Sequence, residues 1–217
     1  MINPKNNQIE KTALKLLTIL FALITIGCSS QDSTTEPQRD VANSSGKVLI
    51  VYLSRTNNTK AIAKIIHEKV GGDLVALELV NPYPDDYKTT VAQVAEENES
   101  GFLPPLKTKI DNIQNYDVVF VGFPTWGMQL PPPMKSFLNQ YDFSGKTVVP
   151  FNTNGGYGIG STFSTVKELC PNSEVLEGFS TKGGVERDGI LFVMEGEKEK
   201  EARLEIEKWL QKIKIIK

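Results

Sequence analysis

The chain has 217 residues and a mass of 24.0 kDa, enough for one domain with a small appendage. Hydrophobic residues make up 40% and charged residues 23%, a globular balance that excludes a disordered chain. The net charge of −2 and pI of about 5.6 provide no basic footprint for nucleic acid, and two cysteines with one histidine cannot build a Cys/His zinc site.

Residues 1–15 are polar and carry Lys5, Lys11 and Lys15, and an apolar run of 11 residues follows from Leu16 to Ile26. The run is too short for a permanent bilayer span. It ends at Gly27-Cys28-Ser29-Ser30, so a basic region, an apolar region and a small residue stand in secretory order. The cysteine after the small residue makes the segment resemble a bacterial lipoprotein signal, with Thr25 where that motif usually has Leu. The resemblance implies removal of residues 1–27, lipidation of Cys28 and attachment to the bacterial cell envelope, at the inner or the outer membrane. A plain secretory signal or an uncleaved anchor is the alternative. Residues 28–46 read as a flexible tether, because Ser29 to Ser45 are polar and lack apolar periodicity.

From Lys47 the chain alternates strand and helix. Val48 to Leu53 is a continuous apolar run that suits a strand buried on both faces. The polar loop Ser54-Arg55-Thr56-Asn57-Asn58-Thr59 leads into a helix with Ile62, Ile65 and Ile66 on one face, stopped by Gly71-Gly72. Leu74 to Val80 is a second expected strand, Asp85 to Glu99 a helix with a weak apolar face, and residues 101–115 an irregular connection. A third strand covers Val118 to Phe123, and a short helix runs through Phe137-Leu138. A fourth strand covers Thr147 to Phe151; Pro150 removes a ladder donor, which places the strand's end close by. Ser161 or Thr162 caps a helix to about Leu169, Val175 to Phe179 is a fifth strand, and Ala202, Ile206, Trp209, Leu210 and Ile213 mark a closing helix.

Five buried strands alternating with helices imply an open parallel sheet covered on both sides, with one domain over 47–217. Ligands of such sheets sit beyond the carboxyl ends of the strands. The loops after strands one, three and four are therefore the informative ones. In the first, unpaired amide groups at a helix start favour a phosphate, Ser54, Thr56 and Thr59 add hydroxyl donors, and Asn57 or Asn58 suits positive φ. A loop of this kind can also be a helix cap with no ligand.

The first strand with Ser54-Arg55-Thr56-Asn57-Asn58-Thr59 resembles the phosphate-binding loop of flavodoxins, [T/S]-x-T-G-x-T, with Asn57 where Gly is usual. Gly122-Phe123-Pro124-Thr125-Trp126-Gly127-Met128 is similar to that family's first flavin-flanking loop, and Phe151-Asn152-Thr153-Asn154-Gly155-Gly156-Tyr157-Gly158 to its second. The resemblance covers about Lys47 to Lys217. It implies a doubly wound, three-layer α/β/α fold with strand order 2-1-3-4-5 and a non-covalent FMN. It also implies contacts from Ser54, Arg55, Thr56, Asn57, Asn58, Thr59, Pro124, Thr125, Trp126, Gly127, Met128, Thr153, Asn154, Gly155, Gly156, Tyr157 and Gly158. Trp126 and Tyr157 are the candidates to cover the two ring faces, since rigid aromatics stack at low entropic cost.

Three side readings are bland. Gly156-Tyr157-Gly158-Ile159-Gly160 imitates a dinucleotide fingerprint but has Ser161 at the third position and follows the wrong strand. Cys170 reads as a small residue at a helix end, and His67 as a solvated helix position. No acid–base set is marked out by spacing, which fits a chain whose chemistry belongs to its cofactor. The expected function is electron transfer to a redox partner protein or a small-molecule acceptor, with aromatic faces and an acidic surface disfavouring the reduced, anionic flavin. The alternatives are an FMN-dependent NAD(P)H:quinone or flavin reductase, and a flavin-free binding module on the same fold.

Overall fold

The computed structural model describes residues 46–217. The expected leader (1–27), the lipidation site Cys28 and the tether 28–46, save Gly46, lie outside the described residues. In chain order the elements are β1 (Lys47–Tyr52), α1 (Asn58–Val70), β2 (Asp73–Ala76), α2 (Tyr87–Ser100), β3 (Tyr116–Pro124), α3 (Pro132–Gln140), β4 (Thr147–Asn154), α4 (Thr162–Leu169), β5 (Glu174–Val175), β6 (Phe179–Lys182) and α5 (Gly196–Lys212).

The strands pair in parallel in the order β2-β1-β3-β4-β5, with β6 also on β4. The expected α/β order therefore holds. The apolar runs are continuous because helices cover both faces. Leu49 and Val51 face one core layer with Val119, Val121 and Phe123, closed by Met134, Phe137 and Leu138 of α3 and Val166 of α4. Ile50 and Tyr52 face the other with Phe120, Val149 and Phe151, closed by Ile62 and Ile66 of α1 and Ile206 and Leu210 of α5.

Three expected boundaries are corrected. β4 does not stop at Phe151, just past Pro150, but runs to Asn154. The carbonyls of Val148 and Asn154 accept bonds from Leu176 and Gly183, so even-numbered residues of β4 face the β5/β6 side. The donor that Pro150 lacks falls on that side, and the neighbouring strand breaks there. The expected strand Val175 to Phe179 is thus two pieces, β5 on Thr147 and Val148, and β6 on Phe151 to Asn154.

β2 likewise ends at Ala76 rather than Val80. Beyond it Leu79 forms an antiparallel bridge with Leu106, and the Val80 amide donates to the Pro105 carbonyl at 3.0 Å. The connection 101–115 thus supplies Leu106, Ile110 and Ile113 to the core layer under α3. Helix α2 joins neither layer: its buried Val94 belongs to neither cluster. Finally, Ser161 stands at the start of α4 without capping it, and its hydroxyl donates to the Met128 carbonyl at 3.4 Å instead.

Candidate functional site

The loop after β1 turns into α1 through Asn57, at φ 65° and ψ −3°. Asn is the non-glycine residue best suited to that left-handed position. Ser54 Oγ accepts the Lys60 amide at 3.2 Å. The amide groups of Thr56, Asn57, Asn58 and Thr59 meet no acceptor among the described residues. Four such donors at the positive end of a 13-residue helix form an anion cradle. Asn58 fixes the loop from beneath: its Nδ2 donates to the Leu191 carbonyl at 2.6 Å, and its Oδ1 accepts the Val193 amide at 3.1 Å. Thr59 Oγ1 lies 2.8 Å from Thr153 Oγ1 at the end of β4.

The loop after β3 is a two-residue hairpin. Trp126 and Gln129 exchange backbone bonds at 3.0 and 3.3 Å around Gly127 and Met128, whose φ values of 55° and 61° define a type I′ turn. This sets Trp126 half-buried at the turn's base. Tyr83 meets its ring edge-on, 5.4 Å between centroids and 86° between planes. The Tyr83 hydroxyl donates to the buried Glu97 carboxylate of α2, which also accepts from Gln93 Nε2 at 2.8 Å. Burial first, and then that carboxylate, hold the Tyr83 phenol well above its usual pKa.

The loop after β4 is folded on Asn154, whose Oδ1 accepts the amides of Gly156 and Gly158 at 2.8 and 3.2 Å. Gly160 touches the turn after β3: a Cβ there would lie 2.0 Å from the Met128 carbonyl oxygen. Tyr157 is 66% exposed, with the Arg187 guanidinium 5.8 Å from its ring centroid and Arg187 Nη2 donating to its hydroxyl at 3.1 Å.

The three loops open onto one cavity of about 670 Å³ at the carboxyl end of the sheet. Of the residues expected from sequence, Arg55, Thr56, Asn58, Thr59, Pro124, Thr125, Trp126, Gly127, Met128, Thr153, Asn154, Gly155, Tyr157 and Gly158 line it. Ser54, Asn57 and Gly156 stand outside the lining and shape the loops that form it. Two walls escaped the sequence reading. One is the face of α2 carrying Tyr87, Val91, Val94, Ala95 and Asn98; the other is the loop Gly183 to Arg187 after β6. The helical wall had a signal, since 87, 91, 94, 95 and 98 follow helical spacing, but it read as a weak core face. The lining carries Arg55, Arg187, Glu99 and Glu186, so its formal charge is balanced and the expected acidic repulsion is not concentrated there. Cys170 and His67 lie elsewhere: Cys170 is buried at the end of α4, and His67 Nε2 lies 3.0 Å from the Gly72 carbonyl.

Residues 47–195 match the family model described as flavodoxin. A flavodoxin of Nostoc sp. is 24% identical over 152 residues, covering 68% of this chain and 75% of that protein. A structure from Bacteroides eggerthii, assigned as that of a flavoprotein, is 31% identical with a TM-score of 0.61, covering 77% of this chain and 98% of its own. A flavoprotein from Lactobacillus acidophilus, solved in complex with FMN, shares the fold at 22% identity and a TM-score of 0.56, covering 67% and 98%. With the match spanning all three site loops and the sheet that carries them, the chain belongs to the flavodoxin family.

Proposed function

We propose that the cavity binds FMN non-covalently and that the chain is an electron-transfer protein held at the bacterial cell envelope through lipid on Cys28. The observation that carries this reading is the row of free amide donors at the start of α1, three of them on residues (Thr56, Asn58 and Thr59) that line the same cavity as Trp126 and Tyr157. A phosphate fits such a cradle without a dedicated cation, and Arg55 is engaged elsewhere. The residues that would hold the group are the Thr56 to Thr59 amides and the Thr59 hydroxyl at the phosphate end. Trp126 would hold it at the ring end, with Gly155 and Gly158 offering backbone groups to the ring edge. Bound FMN supplies reversible one- and two-electron chemistry. The chain's own contribution is to orient the ring and keep water from the side covered by α2. The FMN complex of the Lactobacillus protein and the family match support the FMN part of this reading, and the Gly27-Cys28 sequence pattern is what supports the anchor.

A second reading, an NAD(P)H-dependent quinone or flavin reductase, draws on the apolar wall of Val91, Val94 and Ala95, which can hold a small organic substrate. Mixing the full chain with FMN tests the first reading: a bound flavin spectrum supports it, and an unbound spectrum in excess FMN contradicts it. Stopped-flow mixing of the FMN-loaded protein with NAD(P)H separates the two, since rapid bleaching belongs to the reductase and none to the carrier.

A further inference from the structure

Thr59 and Thr153 are 94 residues apart in the chain, yet their hydroxyl oxygens meet at 2.8 Å and both residues are at least 97% buried. Among the described residues, each hydroxyl has the other as its one partner. A hydroxyl owns a single hydrogen and two acceptor sites. In the pair, one hydrogen closes the mutual bond and the second is left without a protein acceptor. Both residues line the cavity together with Thr56 and Asn58, so the spare donor stands beside the free amides of Thr56, Asn58 and Thr59. Such a donor is costly to leave unpaired and favours an anionic oxygen.

We infer that Thr153 is a positioning residue for phosphate recognition, acting through Thr59. This deepens the FMN reading and rests on it. Thr153 donates to Thr59 Oγ1, which turns the Thr59 O–H toward the anion and polarises it. The direction follows from placement. Thr59 sits in the first turn of α1 among the amide donors, whereas Thr153 is held back on β4. Its carbonyl accepts the Thr125 amide at 2.9 Å, and Gly183 packs beside its Cβ. The sheet thus fixes a rotamer that a helix start alone leaves free. The discrimination it adds is for a phosphorylated over an unphosphorylated flavin.

The test titrates the full chain with FMN and with riboflavin. Thr153→Val is expected to weaken FMN binding about tenfold, the scale of one hydrogen bond to a charged group, and riboflavin binding less than twofold. Thr153→Ser restores the difference. Thr59→Val combined with Thr153→Val is expected to bind FMN no more weakly than Thr59→Val alone, because both changes cut the same chain of bonds. Parallel losses for FMN and riboflavin would show a merely structural role and overturn the inference. Additive losses in the double variant would show a direct contact from Thr153 and also overturn it. Should Val be rejected by the strand, as a fall in melting temperature would reveal, Thr153→Ala takes its place. A wild-type chain that binds neither flavin overturns the FMN reading as well as this one, whereas binding with the wrong variant pattern overturns this one alone.

Discussion

The guanidinium of Arg55 and the carboxylate of Glu186 lie 2.7 Å apart across 131 residues of chain, joining the loop after β1 to the loop after β6. The same guanidinium donates to the Pro84 carbonyl at 2.9 Å and the Asp85 carbonyl at 2.7 Å, at the entrance to α2. One planar fork therefore braces three walls of the cavity. The Arg55 guanidinium thus acts as a strut within the protein, while the residue stays in the cavity lining.

A strut of this kind needs the fork and not only the charge. Arg55→Lys is expected to cost about 1 kcal/mol in urea unfolding, and Arg55→Ala about 2 kcal/mol, because the Glu186 carboxylate then loses its partner while about four-fifths buried. Equal stability for Arg55→Lys and wild type would reduce the interaction to simple charge.

Trp126 is the one tryptophan on the cavity wall, and the turn that carries it is set by backbone bonds rather than by its ring. Trp126→Ala should lower FMN affinity by about 1–3 kcal/mol, the scale of aromatic stacking contacts. The fold should survive, with a small loss from the missing Tyr83 contact. Fluorescence titration measures the affinity; an unchanged value would remove Trp126 from the ring site.

Gly160 and Gly145 make a matched pair. Both have positive φ, 55° and 74°, but a Cβ at Gly145 meets nothing within 4 Å, whereas at Gly160 it would lie 2.0 Å from the Met128 carbonyl oxygen. Gly145→Ala should cost about 1 kcal/mol from backbone conformation alone. Gly160→Ala should cost at least about 2 kcal/mol and should also weaken FMN binding, because the turn carrying Trp126 must move. Equal costs would mean that the two loops are not held together at Met128.

Burial pushes the Cys170 thiol up to about 11 from an ordinary value of 9.0. The folded state therefore holds this proton where the unfolded state has lost it. The resulting stability is fully present below pH 9.0 and is lost as pH rises toward about 11. Denaturation midpoints should fall across that window, and Cys170→Ala should make the fall shallower. At neutral pH the folded Cys170 thiol should resist alkylation and react only after unfolding; fast labelling at Cys170 in the native protein, located by peptide mapping, would contradict its burial.

Sequence made the sheet and the loop positions legible because both rest on local rules. Val48 to Leu53 suits a doubly covered strand, found as Lys47–Tyr52, and Asn57 suits the left-handed turn that the structure shows. What stayed hidden depends on which neighbour a residue meets. Pro150 has an ordinary signal for a strand end, yet its missing donor faces the side where the neighbouring strand already breaks. Leu79 and Val80 look like strand residues, but beyond Ala76 Leu79 forms only an isolated antiparallel bridge to a distant connection. Val91, Val94 and Ala95 have a helical period whose apolar face lines a cavity instead of a core, so periodicity alone could not tell the two apart. The bracing role of the Arg55 side chain carried no sequence signal, because its acceptors at 84, 85 and 186 come together only in the fold.

The measurement that bears most directly on the account is calorimetric titration of the full chain with FMN, repeated in competition with riboflavin. The account predicts one saturable site per chain and tighter binding of FMN than of riboflavin. Absence of saturable FMN binding, or equal affinity for the two flavins, would contradict it.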